Sequence, residues 1–151
     1  AKAALTANVN LTAAYSYTDV KYTEDTLYKH KRPVEVPRHQ ASLWTDYTFH
    51  ETALSGLTLG AGVRYVGDTS SFYSNTYADE SKRNHTFNVS SYTVADATIK
   101  YDLARLGLPG SSVGVNVNNL FNRKYVSSCY RDYACYWGAE RQITGTATFS
   151  F

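Results

Sequence analysis

The sequence predicts an all-β fold, the wall of a transmembrane antiparallel β-barrel, and three observations predict it. The 151 residues include 14 Tyr, 6 Phe and 2 Trp but no Met and only 3 Pro, a composition rich in strand formers. Apolar and polar side chains alternate with period two through six long runs, where a helix would repeat every 3.6 residues. Nothing approaches the roughly 20 uninterrupted apolar residues of a spanning helix. The mean hydropathy of −0.40 suits strands that turn only every second side chain to lipid.

The first run sets Leu5, Ala7, Val9, Leu11, Ala13, Tyr15 and Tyr17 against Thr6, Asn8, Asn10, Thr12, Ala14, Ser16 and Thr18. The second sets Ala41, Leu43, Tyr47 and Phe49 against Arg38, Gln40, Ser42 and Asp46, with Trp44 the one large apolar residue on the polar side. In the third, Leu57, Leu59, Ala61, Val63 and Tyr65 oppose Thr58, Gly60, Gly62 and Arg64. The fourth places Ala95, Ala97, Ile99 and Tyr101 opposite Asp96, Thr98, Lys100 and Asp102, and the fifth places Val113, Val115 and Val117 opposite Gly114, Asn116 and Asn118. In the last, Ile143, Ala147, Phe149 and Phe151 alternate with Gln142, Thr144, Thr146, Thr148 and Ser150.

These runs exceed the roughly five or six residues of a typical sandwich strand and match the roughly 9 to 11 of a tilted membrane strand. Their apolar faces carry Ala, Val and Leu in the middle and Tyr or Phe towards the ends, the girdle that rests rings in lipid and hydroxyls among headgroups. Their other faces carry Asn, Thr, Gln, Arg, Asp and Lys, which a dry core would leave unsatisfied but a wet or plugged lumen accommodates. Connections alternate in length: 50–56 and 103–111 are short, whereas 19–37, 66–91 and 121–137 are long, polar and aromatic. Short turns lie on the periplasmic side of such barrels and long loops outside, which predicts both chain ends on the periplasmic side. Six strands would leave two unpaired edges in lipid, so the chain is expected to be the last part of a larger barrel.

The net charge of +2 argues neither for nucleic acid nor for an acidic partner. Cys129 and Cys135 lack CxxC spacing and suit a small disulfide loop in an oxidising compartment better than a zinc or redox site. The opening AKAALTANVN has no leader pattern.

Residues 115–125, VNVNNLFNRKY, resemble the N-x-x-N-L-F-[DN]-x-x-Y motif near the end of TonB-dependent outer-membrane receptors, with Asn116, Asn119, Leu120, Phe121, Asn122 and Tyr125 at the matching positions. The terminal TGTATFSF, with Phe149 and Phe151, resembles the aromatic signal read by the barrel-assembly machinery. SSCYRDYACYWGAERQITGTATFSF, with KRPVEVPRHQASLWTDYTFHETALSGLTLGAGVRY upstream, resembles the hydroxamate-siderophore receptors of the ferrichrome receptor type, from about residue 31 to the end with a break across 68–90. The resemblance implies a complete receptor of 22 strands around an N-terminal plug. It also implies an Fe(III)-siderophore as transported ligand, no cofactor held by the protein itself, and the TonB-ExbB-ExbD complex as energy source. Outer-membrane lipid and lipopolysaccharide, and the remaining strands and plug, are the other expected partners; nucleic acid is not.

The paired cysteines match the family's disulfide in the last extracellular loop. In that family the aromatic after the first cysteine, a Phe, reaches the siderophore pocket; here it is Tyr130, which keeps the ring and adds a hydroxyl. Tyr136 and Trp137 follow the second cysteine and are ligand candidates, with rim packing or a girdle as the competing reading. In the loop 66–91, Phe72, Tyr73 and Tyr77 are candidates to cover the siderophore, against the plainer reading of a solvated loop. His30, His39, His50 and His85 lack metal-ligand spacing. Arg38, Asp46, Arg64, Asp96, Lys100 and Glu140 are expected mainly in lumen-side salt bridges, and Arg141 at the outer rim. No nucleophile elbow, phosphate loop or metal motif marks an enzyme. Rival readings are a passive porin and a surface adhesin or receptor used by phage or bacteriocin.

Overall fold

A computed structural model of the chain describes residues 1–25, 28–51, 53–73 and 85–150. In chain order the strands are β1 (Lys2–Ala4), β2 (Val9–Tyr17), β3 (His39–Thr48), β4 (Leu57–Val66), β5 (Thr69–Phe72), β6 (Thr86–Val89), β7 (Tyr92–Asp102), β8 (Ser112–Asn118), β9 (Val126–Arg131), β10 (Ala134–Trp137) and β11 (Gln142–Thr148). A seven-stranded antiparallel sheet runs β1-β2-β3-β4-β7-β8-β11, and a second, four-stranded sheet runs β10-β9-β5-β6.

The six alternating runs are the six long strands of the first sheet, and their register keeps the two faces distinct from strand to strand. Leu11, Thr45, Ala61, Ala97, Val117 and Ile143 form one row, and Ala13, Leu43, Val63 and Ala95 another. A slip of one residue would turn each apolar set to the opposite face. This face is solvent-accessible throughout, Ile99 at 55% and Ile143 at 68%, so it forms a belt with no protein against it. Tyr15, Ala41 and Tyr65 close the belt in one row at the end nearest the long connections. There His39 joins the aromatics, its Nδ1 hydrogen-bonded to Tyr15 Oη at 2.8 Å.

The polar face carries hydrogen bonds between strands. Asn10 donates to Asp46 Oδ2 at 2.8 Å, Thr98 donates to Asn116 Oδ1 at 2.7 Å, and Arg64 Nε donates to Asp96 Oδ2 at 2.6 Å. Of the charged residues expected in salt bridges, Arg64 and Asp96 pair with one another across β4 and β7. Trp44 fits this face because its indole lies on Gly60 and Gly62: a Cβ at either position would come within 2.7 Å of the ring.

Two expectations change at the sequence ends. The alternation of residues 5–8 belongs to a turn, not to the first strand. Thr6 Oγ1 accepts from the amides of Asn8 at 3.2 Å and Val9 at 3.1 Å, and β1 folds back with Lys2 opposite Thr12. A hydroxyl suits a strand's polar face and a turn equally, which is why periodicity missed the turn. Ala1 consequently sits against Ala13, its carbonyl accepting the Ala13 amide at 2.9 Å, and not at the short-turn end. At the other end β11 stops at Thr148; Phe149 is exposed, and Phe151 lies outside the described residues.

Among the described residues, the buried side chains of the wall and its short turns are Val94, Asp96, Leu103 and Ser111; most burial lies in the long connections. Thr69, Ser70, Ser71 and Phe72 of β5, with Val89, Cys129 and Asn119, are nearly inaccessible, and all belong to the long connections or their roots. The described part of segment 66–91 is thus not a simple solvated loop: β5 is enclosed by β6 on one side and β9 on the other.

Candidate ligand-binding loops

Connections 18–38, 67–91 and 119–141 all leave the same end of the large sheet, and short contacts fasten them together. Val34 and Ser70 form a parallel bridge, and the Glu35 amide donates to Ser70 O at 3.2 Å. Arg32 reaches Asp68 at 3.2 Å. Tyr28 stacks on Phe72 with ring centroids 4.1 Å apart, and Phe72 lies opposite Arg131 where β5 meets β9. Arg131 then donates to Tyr73 O at 3.2 Å and to Tyr28 Oη at 3.5 Å. The bond to Tyr28 raises the Arg131 guanidinium pKa above its ordinary value against the opposing effect of burial, so this tie is charged at physiological pH.

The β9–β10 hairpin carries most of the aromatic candidates. Cys129 and Cys135 face one another in its register and are disulfide-bonded. The predicted pairing is therefore present, with Cys129 buried. Tyr130 stands unpaired at a register break, between Cys129 opposite Cys135 and Arg131 opposite Ala134, a bulge of the kind that re-aims a side chain; Tyr136 lies opposite Ser128. Tyr130 is 52% and Tyr136 58% exposed, and the Arg131 guanidinium lies 5.6 Å from the Tyr130 ring centroid, within cation–π range. Trp137 follows a register break and is also exposed. Tyr73 is half-buried beside the tip of the hairpin, where Arg131 bonds its carbonyl, and its ring lies 5.1 Å from Phe87. Phe72, a candidate ligand cover, is 4% exposed and stacked on Tyr28; the packing of the loops on one another takes it out of reach. Tyr77 lies outside the described residues.

The hairpin's constraint is testable. Replacing both Cys129 and Cys135 by serine removes a short closed loop and is expected to destabilise the hairpin locally by about 2 kcal/mol. Amide hydrogen exchange should then quicken in β9 and β10 while β3, β4 and β7 keep their protection.

The motif residues 116–125 form the root of this hairpin. Asn119 and Asn122 both adopt φ of 52°, a left-handed conformation that Asn tolerates better than most side chains. Asn119 Nδ2 donates to Arg123 O at 2.8 Å and to Ala139 O at 3.0 Å, and its Oδ1 accepts the Arg123 amide at 2.8 Å. Asn122 Oδ1 accepts the Arg141 amide at 2.8 Å. Tyr125 stacks on Tyr92 with centroids 4.2 Å apart, and its carbonyl accepts the Gly138 amide. A side chain at position 138 would collide with the Tyr125 ring, so glycine is required there. Leu120 is half-buried and Phe121 is 78% exposed. Both ends of segment 119–141 are thereby tied to one another. The sequence offered the spacing of this motif but not its use as a clamp. Outside it, Glu140 pairs with Lys124 at 3.7 Å and Arg38 with Asp19 at 3.6 Å.

The profile of the TonB dependent receptor-like β-barrel family matches residues 2–120. The chain is 55% identical, over all its 151 residues, to the ferrichrome outer membrane transporter/phage receptor of Escherichia coli (strain K12), covering 19% of that protein. It is 43% identical over 148 residues, 97% of the chain, to the ferrioxamine B receptor of Salmonella typhimurium (strain SL1344), covering 20% of it. The chain thus spans about a fifth of the length of these curated relatives. Among solved structures, the ferripyoverdine receptor of the Pseudomonas aeruginosa outer membrane, bound to ferripyoverdine, superposes with a TM-score of 0.75 at 25% identity, over 99% of this chain and 18% of that one.

Proposed function

The chain belongs to the TonB-dependent receptor-like β-barrel family, and on that premise we propose that it forms part of the wall and outer loops of an outer-membrane receptor that binds and imports a ferric siderophore, of hydroxamate type. The exposed apolar belt is the lipid face, the polar face lines the lumen, and the fastened loops stand outside the cell. The observation that carries the reading is the disulfide-closed hairpin with Tyr130 and Tyr136 both exposed, in a chain 55% identical to a ferrichrome transporter.

In this reading the siderophore satisfies its iron with its own oxygens, and the protein recognises the outside of the complex. The Tyr130 ring packs against the ligand and its hydroxyl hydrogen-bonds a hydroxamate or amide oxygen. Disulfide and Arg131 ties restrict the hairpin before binding, which reduces the ordering cost on association. Tyr136 and Trp137 extend the aromatic surface, and Tyr73 adds to it from the neighbouring connection. Import follows when TonB acts on the plug, a part of the receptor beyond this chain.

Tyr130→Ala in the full-length receptor is expected to weaken binding of ferrichrome or ferrioxamine B by about 1 to 3 kcal/mol, read by equilibrium titration. Tyr130→Phe should retain most of the affinity for the ligand whose contact is the ring alone. Unchanged affinity for every hydroxamate tested in Tyr130→Ala removes this residue from the site. The rival reading as a phage receptor has one supporting observation, the exposed Tyr133 and Trp137 of the hairpin in a chain related to a phage receptor. It predicts that phage adsorption fails when Tyr133 and Trp137 are replaced while uptake persists.

A further inference from the structure

Building on the hairpin as ligand holder, we propose that Asp96 is a positioning residue for it: a carboxylate on the barrel wall that fixes the turn from which the ligand-bearing segment springs.

The β7–β8 ladder runs from Asp102 opposite Ser112 to Ala97 opposite Val117. Beyond it the left-handed Asn119 swings the backbone out of the ladder, and its amide, buried, loses the strand carbonyl that would have accepted it. Asp96 Oδ1 replaces that carbonyl at 2.9 Å, and the next amide, Leu120, bonds Ala95 O at 2.7 Å. An unpartnered amide at this depth would be costly. Asp96 is itself held: Arg64 Nε and Nη2 donate to its two oxygens at 2.6 and 3.0 Å, a fork that fixes the plane of the carboxylate. Three donors from two other elements thus converge on one side chain that is 9% exposed.

From Asn119 the connection continues outward. Its side-chain amide holds Arg123 and Ala139, which flank the hairpin before β9 and after β10. The chain Arg64–Asp96–Asn119 therefore sets the height and tilt of the hairpin against the wall. Arg64 is half-exposed on the polar face of β4, so the link begins at the accessible polar face of the wall and ends at the turn that carries the hairpin.

The test uses the full-length receptor in proteoliposomes, with trifluoromethyl-phenylalanine at the exposed position 133 as a fluorine NMR reporter and ferrichrome as the ligand. Asp96→Asn turns an amide N–H towards donors, and Asp96→Glu keeps the charge but displaces it from the Asn119 amide. Both are expected to split or broaden the reporter signal and to raise the ferrichrome Kd on the order of tenfold. In cells that supply TonB, the maximal uptake rate should be retained and the KM raised, the pattern of weakened binding and not of lost receptor. Arg64→Lys loses the two-pronged hold on Asp96 but leaves its carboxylate to accept the Asn119 amide, and is expected to raise the ferrichrome Kd by less than either Asp96 variant does.

If Asp96→Asn does not assemble, Asp96→Glu decides alone. Reduced affinity with an unaltered reporter signal overturns the proposal, as does a fall in maximal rate at constant KM. An altered signal with unaltered affinity upholds the link from Asp96 to the hairpin and overturns the hairpin as ligand holder.

Discussion

Asn119→Ala is expected to destabilise the receptor by about 3 to 5 kcal/mol, because three hydrogen bonds and a tolerated left-handed backbone are lost together. The bonds go to Arg123 O, Ala139 O and the Arg123 amide, and the remaining φ of 52° is unfavourable for alanine. Asn119→Gly separates the two contributions: it keeps the backbone freedom and loses only the side-chain bonds, so it should recover about 1 to 2 kcal/mol of the loss. Denaturant unfolding of the receptor in lipid vesicles measures both. Equal stability of Asn119→Ala and the parent would mean that the clamp around segment 119–141 contributes nothing.

The second large effect is expected at Gly62. A Cβ there would stand 2.5 Å from Trp44 Cε3 and 2.6 Å from Leu43 O. The ring is large and the carbonyl belongs to the β3–β4 ladder, so neither yields cheaply. Gly62→Ala should cost about 2 to 3 kcal/mol. At Gly60 the nearest groups are Thr98 Cγ2 and Trp44 Cζ2, both at 2.7 Å and both side chains, so Gly60→Ala should cost about 1 kcal/mol. Combining each with Trp44→Ala discriminates further. Removal of the indole should relieve the Gly60 variant more than the Gly62 variant, where the backbone contact persists. The same unfolding assay reads the four variants, and an equal response at the two glycines would contradict the packing described.

Strand identity was legible because a half-buried strand writes its two environments into alternate residues. Val9 to Tyr17, His39 to Thr48 and Leu57 to Val66 all followed from alternation, and their register rows preserve it. That Arg64 and Asp96 would each form a salt bridge was legible from their polar faces, but their pairing with one another came from the β4–β7 register. The failures have a common cause. The turn at 5–8 continues the alternation because Thr6 and Asn8 serve a turn as well as a polar face. Strands β5 and β6 escaped notice because TSSF has no alternation to read and TFNV, though it alternates, is only four residues long; β5 is covered on both sides by β6 and β9. Phe72 looked available for the same reason, and packing against Tyr28 withdrew it.

By itself, then, the sequence determined the wall: period-two alternation, aromatic strand ends, and the cysteine pair that closes a short hairpin are local properties of consecutive residues. Only the tertiary structure decided what the loops do. The stacking of Tyr28 on Phe72 and the reach of Arg131 to Tyr28 join residues far apart in the chain. Asp96 meets Asn119 across 23 positions. Contacts between distant segments depend on how the strand register aligns their ends, and no window of neighbouring residues contains that alignment.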